Sequence, residues 1–159
     1  MDPSDPARVY IAYFEDVSAS GGSFHVFVTR STDAGTTWSA PVRVDEVLPD
    51  DVVDHYRPSI SVSSTGRVDV IWFDYRNSSP KRVTQNLQPG DAYYTYSTDG
   101  GVTWTASIRL STSTSPVRAS PGNDFLTVTS GGNKAYAAYA QDTDANGYWE
   151  TLLTTVSFD

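Results

Sequence analysis

Oxygen-bearing side chains crowd one short stretch, Asp142-Thr-Asp144-Ala-Asn146-Gly147. Alternating oxygen ligands running into a glycine turn are what the first half of a calcium loop needs, because a hard cation is held by several oxygens at once. The residue at the loop's closing position is Leu153, so the bidentate glutamate is missing there, although Glu150 is near. The other reading is a plain hairpin closed by the Asn-Gly pair. Asp142, Asp144 and Asn146 are therefore candidate calcium ligands, and no other cofactor is expected. His25 and His55 lie far apart without a metal-type spacing, and His25 alternates with Phe24 and Val26 as a strand residue does. Cysteine is absent, which removes thiolate nucleophiles, disulfides and Cys-based zinc sites. No Ser-His-Asp triad or phosphate loop is recognisable. The pairs Gly21-Gly22, Gly100-Gly101 and Gly131-Gly132 all read as hairpin turns. Tyr75, Tyr93 and Trp149 could stack on sugar rings, but a core role is the commoner use of such aromatics.

The elements that must position these groups are strands. Aromatics make up 13% of the 159 residues and charged residues only 19%, and Ser, Thr, Gly, Asp and Val dominate the rest, a strand-and-turn composition. No stretch keeps a helical period. Ten alternating or apolar runs are bounded by turn residues, at 8–15, 23–30, 40–44, 58–63, 67–75, 91–96, 108–111, 125–129, 134–140 and 148–156. Ten short strands without a helix indicate an all-β antiparallel meander, large enough for one domain. The run through Val68 and Phe73 should be central and buried on both faces. A net charge of −8 argues against nucleic acid or an anionic membrane as the main partner. No apolar run approaches a membrane span, and no signal peptide precedes Asp2-Pro3, so the start reads as one placed at a domain edge.

The strands repeat. Ser31-Thr-Asp33-Ala-Gly35-Thr-Thr-Trp38 returns as Ser97-Thr-Asp99-Gly-Gly101-Val-Thr-Trp104, with six of eight positions identical. Such self-similarity marks a repeat architecture. The strand from Arg8 recurs from Arg67 and again from Lys134, and Asp16, Asp74 and Asp142 follow it in the three units. With strands A to D in each unit and the box at the C–D turn, the order is B-C-D, A-B-C-D, A-B-C. The middle unit carries an insertion within 77–90, and Ser157-Phe158-Asp159 stands where a third box would begin.

The Ser-x-Asp-x-Gly-x-Thr-Trp box resembles the Asp-box (BNR) repeat of sialidases and related β-propellers, and both copies match it at every defining position. The resemblance implies sialidase-like β-propeller blades, about three in succession near 7–48, 56–112 and 123–159, incomplete as a ring unless the chain oligomerises. In the family the boxes lie at the propeller periphery, so Ser31, Asp33, Gly35, Trp38, Ser97, Asp99, Gly101 and Trp104 are expected to be structural. Ser and Asp can lock a turn through backbone hydrogen bonds, and glycine permits its positive φ. Trp38 and Trp104 should bury large apolar areas, with each indole N–H seeking a carbonyl.

Exo-sialidases of this family bind the substrate carboxylate with an arginine triad and use a Tyr–Glu pair with an acid/base Asp. Arg57, in Tyr56-Arg57-Pro58, sits where the resemblance puts one such arginine, although Pro follows it directly. A guanidinium fork suits a carboxylate, and the alternative is an arginine bracing a blade edge. Asp74 and Arg76 follow strand B like the family's acidic-x-Arg segment and are the weak catalytic candidates beside Arg57. Their alternative is a local ion pair organising the loop at 77–90. Repetition of that Asp as Asp16 and Asp142 fits a turn role. None of Glu15, Glu46 and Glu150 lies in a segment that would complete the Tyr–Glu pair.

Two readings of function follow. One is a non-catalytic propeller module that binds glycans or proteins and self-associates, two copies of three blades closing a six-bladed ring. The other is part of an exo-acting glycoside hydrolase whose site needs residues from elsewhere. The resemblance favours an extracellular or cell-surface location.

Overall fold

The computed structural model describes residues 1–17, 23–46, 52–83, 87–112, 114–118, 125–141 and 150–159. Among them there is no helix, and eleven strands build three antiparallel sheets. The first sheet is β1 (Val9–Asp16), β2 (Phe24–Ser31) and β3 (Val42–Arg43), in that order. The central sheet runs β4 (His55–Val62), β5 (Val68–Asp74), β6 (Leu87–Ser97) and β7 (Ile108–Arg109). The third runs β9 (Leu126–Ser130), β10 (Lys134–Gln141) and β11 (Glu150–Ser157). Apart from one further strand paired to β6, the sheets hold three, four and three strands in chain order, the unit pattern expected from the repeats.

β5 holds the sheets together. All seven of its residues are buried, as the run through Val68 and Phe73 requires. Its alternating side chains serve two cores, because successive residues of a strand point to opposite faces. Val68, Val70 and Trp72 pack with Tyr10, Val26, Val28 and Val44 of the first sheet. Ile71 and Phe73 join Tyr94, Val128, Ala137 and Tyr139 on the third-sheet side.

Three features depart from expectation. β6 begins at Leu87, inside the inserted segment, and its first four residues pair with an additional strand, β8 (Ser115–Arg118). Main-chain hydrogen bonding, which the side-chain pattern does not report, creates this pair. The register also corrects the repeat alignment. Val9 pairs with Ser31, Val68 with Ser97 and Lys134 with Ser157. Asn133 rather than Lys134 is therefore the counterpart of Arg67. Finally, β4 carries a bulge: Tyr56 pairs with Phe73 and Ser59 with Ile71, which leaves Arg57 and Pro58 opposite Trp72 alone.

Candidate functional site

The two box turns are closed by their own side chains. Ser31 Oγ donates to Asp33 Oδ1 at 2.7 Å and accepts from the Gly35 amide at 2.8 Å. Asp33 in turn accepts the Thr37 amide at 2.8 Å and the Thr37 hydroxyl at 2.6 Å. The second turn repeats this with Ser97, Asp99, Gly101 and Thr103. The Thr37 and Ser31 hydrogen bonds hold the Asp33 carboxyl down at about 2, and the equivalent bonds hold Asp99 well below the usual range. Gly35 and Gly101 have φ of 91° and 82°, the left-handed region that a side chain disfavours.

The tryptophans differ from expectation. Trp38 is 40% exposed, although its Nε1 donates to Gly35 O at 3.1 Å. Trp104 packs against the core shared by the first and central sheets, yet its Nε1 has no hydrogen-bond partner. Burying a Trp on a turn requires a neighbouring sheet. The first sheet lies beside Trp104, and no described residue plays that part for Trp38.

At the opposite end of β5 the strand runs into a buried charged network. Asp74 Oδ2 accepts from Arg76 Nη2 at 2.7 Å and from Trp72 Nε1 at 3.2 Å, while Oδ1 accepts Arg76 Nε at 3.0 Å. Arg76 reaches across to the first sheet, donating to Glu46 Oε2 at 2.6 Å, and its guanidinium lies 4.1 Å over the Tyr93 ring. Glu46 Oε1 also accepts the Ser107 amide at 3.0 Å. Burial alone would raise the Asp74 carboxyl, but the nearby His55 charge and the Arg76 hydrogen bonds and charge outweigh it and hold it far below the carboxylate range. The same balance, led by Asp74 and then Glu46, lifts Arg76 above its ordinary value. Asp74 and Arg76 thus form an ion pair that Glu46 extends toward the first sheet. Asn77, which opens the following loop, is anchored separately by a 2.8 Å bond to Asp91.

His55 extends the network. Its Nδ1 lies 2.8 Å from Asp45 Oδ2 and 3.1 Å from Phe24 O. Its Nε2 is 3.2 Å from Asp74 Oδ2, close enough to feel the charge but too poorly directed to count as a hydrogen bond. His25 Nδ1 is also 2.8 Å from Asp45 Oδ2, and Arg43 Nε donates to Asp45 Oδ1 at 2.7 Å. Burial disfavours the His55 imidazolium, yet Asp45 and Asp74 win and push its pKa up to about 9.

Sequence spacing gave no hint of this cluster, because His25, Asp45, His55 and Asp74 come from two sheets and meet only when those sheets pack. The ligand atoms of His25, Asp45 and His55 lie within 4.8 Å of one another, a spacing that suits a metal ion. One observation opposes that use: Arg43 Nε already lies 2.7 Å from Asp45 Oδ1, so a cation is in place on that carboxylate. The arrangement is a network of charge-assisted hydrogen bonds joining two sheets, with Asp45 as its hub.

Arg57 stands at the same end of neighbouring strands. His55, two residues before it, pairs with Asp74. Arg57 is half-buried within the bulge and has φ of 57°, a costly conformation for a residue that precedes proline. The structure therefore brings Arg57, Asp74 and Arg76 to one end of the sandwich, with Asp74 and Arg76 already bound to one another. The calcium candidates Asp142, Asp144 and Asn146 lie outside the described residues.

A second network, also unanticipated, ties the central sheet to the third. Arg67 Nε donates to Asp69 Oδ1 at 2.8 Å, and its Nη1 and Nη2 reach Gly132 O at 3.0 Å and Lys134 O at 2.9 Å. Tyr94 Oη and Ser130 Oγ both donate to Asp69. Burial and the Asp69 charge push the Tyr94 hydroxyl well above its normal range.

Three antiparallel sheets packed face to face around β5, with the box turns and the Arg67 network at one end of that strand and the His55–Asp74–Arg76 network at the other, have the fold of a segment of a sialidase-like β-propeller. Comparison with known proteins agrees at the level of fold. The chain is 28% identical over 120 residues to a sialidase of Clostridium perfringens, a match covering 71% of this chain and 31% of that protein. The solved Hadza microbial sialidase Hz136 superposes with a TM-score of 0.57 at 16% identity, over 93% of this chain and 35% of that one. A protein of unknown function from Dyadobacter fermentans gives a TM-score of 0.48 at 12% identity, over 96% and 50% of the two chains. No family model matches the sequence. The chain spans about a third of the length of the sialidases it resembles.

Proposed function

We propose that this chain is a non-catalytic Asp-box propeller module that binds glycans or proteins and self-associates to complete its ring. The observation that carries this reading is the state of Asp74 and Arg76. Both side chains are spent on one another, on Glu46 and on the His55 network. A general acid must present a proton to its substrate, and a carboxyl whose two oxygens already accept hydrogen bonds from Arg76 and Trp72 is poorly placed to do so. The turns at 31–38 and 97–104 serve as hairpin locks in this reading.

A second reading, part of an exo-sialidase, is favoured by the Clostridium perfringens relative and by Arg57, whose strained backbone the bulge maintains. In that reading Arg57 binds the substrate carboxylate and the acid, base and nucleophile come from other polypeptide. Assay of the chain on a fluorogenic sialoside separates the two. The module predicts no turnover together with retained binding on a glycan or protein array. Turnover that disappears in Arg57→Ala, with the melting curve unchanged, would replace the module by the hydrolase.

A further inference from the structure

The exposed tryptophan of the first box turn stands beside an arginine that the repeat does not require. A cleft of about 290 Å³ is lined by Arg30, Thr32, Thr37, Trp38 and Ser39. Val9 pairs with Ser31, Val68 with Ser97 and Lys134 with Ser157, so the residues before these serines, Arg30, Tyr96 and Val156, are counterparts. Only the first unit puts a cation there. The two tryptophans, by contrast, share one pose. A Cβ on Gly35 would stand 3.7 Å from Trp38 Cζ2, and one on Gly101 would stand 3.7 Å from Trp104 Cζ2. Trp38 is thus exposed in the conformation in which Trp104 packs against a core.

The walls of this cleft are fixed before anything binds. The bond from Trp38 Nε1 to Gly35 O holds the indole against its own turn. The Ser39 amide donates to Arg30 O at 2.8 Å, and the Arg30 amide donates to Ser39 Oγ at 3.2 Å. The Arg30 side chain is half-buried, and its Nη1 donates to Gly100 O at 3.1 Å. A guanidinium carries five N–H donors, and among the described residues Arg30 has no carboxylate or other side-chain partner. The exposed Thr32 hydroxyl likewise has no partner among them. The acids of the two box turns do not compete for Arg30, because Asp33 and Asp99 accept hydrogen bonds within their own turns.

We propose that the cleft beside Trp38 binds one acidic sugar unit of a glycan, which deepens the glycan-binding reading of the module and rests on it. The indole offers a flat apolar surface for the C–H face of a sugar ring. Arg30 takes the anionic group, a carboxylate or a sulfate, because a half-buried guanidinium with open donors gains most from a charged acceptor. The Thr32 hydroxyl bonds a ring hydroxyl. The volume is at the small end for a ligand cleft, so it admits a single ring while the neighbouring sugars stay outside. A wall already held by hydrogen bonds loses little freedom on binding. The net charge of −8 repels an acidic glycan at a distance, so recognition depends on these short-range contacts.

The test titrates the 159-residue chain with trigalacturonate, its methyl ester and a sulfated galactose trisaccharide, followed by calorimetry and by the Trp38 Nε1–H resonance. An acidic probe should bind about tenfold more tightly than the ester and shift that resonance, and the tighter of the two names the anion. Trp38→Ala should weaken binding at least about tenfold with the melting curve unchanged, since the ring is exposed. Arg30→Gln should bring the acidic probes down to the affinity of the ester and leave the ester as it was. Thr32→Val, which breaks no hydrogen bond of the turn, should weaken all three probes. Binding to a glycan array that survives Trp38→Ala would overturn this cleft and leave the module standing, whereas a wild-type chain that binds no glycan would fail the module itself. Failure of all three probes to bind would also overturn the site. So would a Trp38 resonance that moves with protein concentration in the absence of sugar, which would assign the cleft to a second copy.

Discussion

His55 is the residue whose protonation couples most directly to the fold. It is fully buried, with its ring between Asp45 and Asp74. Its folded pKa, about 9, lies above the ordinary 6.5, so the charged form is the one the fold favours. The stabilisation is therefore complete below about pH 6.5 and is lost as pH rises through about 9, and the shift corresponds to a few kcal/mol (~3). Asp74 works in the opposite sense. Its folded pKa is depressed, so its contribution is present above about pH 4 and fades as acid approaches its folded value. Thermal melts should show a plateau between about pH 4 and 6.5 and a fall toward pH 9.5. His55→Gln keeps a neutral polar group in place and should lower the plateau while flattening the alkaline fall. A wild-type melting temperature identical at pH 6 and 9.5 would show that His55 is not held as an imidazolium.

At the scale of elements, turns and strands carry different kinds of constraint. Gly66 and Gly101 have nearly the same φ, 81° and 82°, but different surroundings. Nothing stands within 4 Å of a Cβ on Gly66, whereas one on Gly101 meets Tyr10 and Trp104. Gly66→Ala should cost only the backbone term, about 1 kcal/mol, and Gly101→Ala about twice that, measured by urea denaturation. Equal costs would mean that the turn does not press on the first sheet. The same distinction explains what could be read from the amino acids alone. The serine, aspartate and glycine of each turn act within eight residues, and β5 announces its burial by the apolar run from Val70 to Phe73, so both were legible. The neighbours of Trp38 were not, because burial of a turn tryptophan depends on the adjacent sheet. Nor was the meeting of His25, Asp45, His55 and Asp74, which no periodicity encodes. Arg67 was visible as a repeated basic position, but its carbonyl partners Gly132 and Lys134 arise from the packing of the central sheet on the third.

At the scale of the whole molecule, three stacked sheets leave two outward faces. On the first sheet the outer side carries Ile11, 45% exposed, beside the stacked pair Tyr13 and Phe27. On the third, Tyr136 and Leu153 are 39% and 71% exposed, opposite the side that joins the core. Among the described residues no strand pairs with the outer edge of β1 or β11. Apolar faces with open strand edges favour association, and identical interfaces close most economically in a cyclic arrangement. The face of the first sheet in one copy would meet that of the third in the other, twice, around a two-fold axis. The net charge of −8 opposes this contact at low ionic strength, so salt should strengthen it. Light scattering at micromolar concentration should give twice the 17.3 kDa chain mass, more completely at higher salt. Ile11→Glu and Leu153→Arg, placed on the two opposed faces, should each return the monomer, and mixing the two should restore part of the dimer through one complementary contact. A monomer at every salt concentration would refute the two-fold ring and leave the outer faces to be covered by further blades of a longer polypeptide.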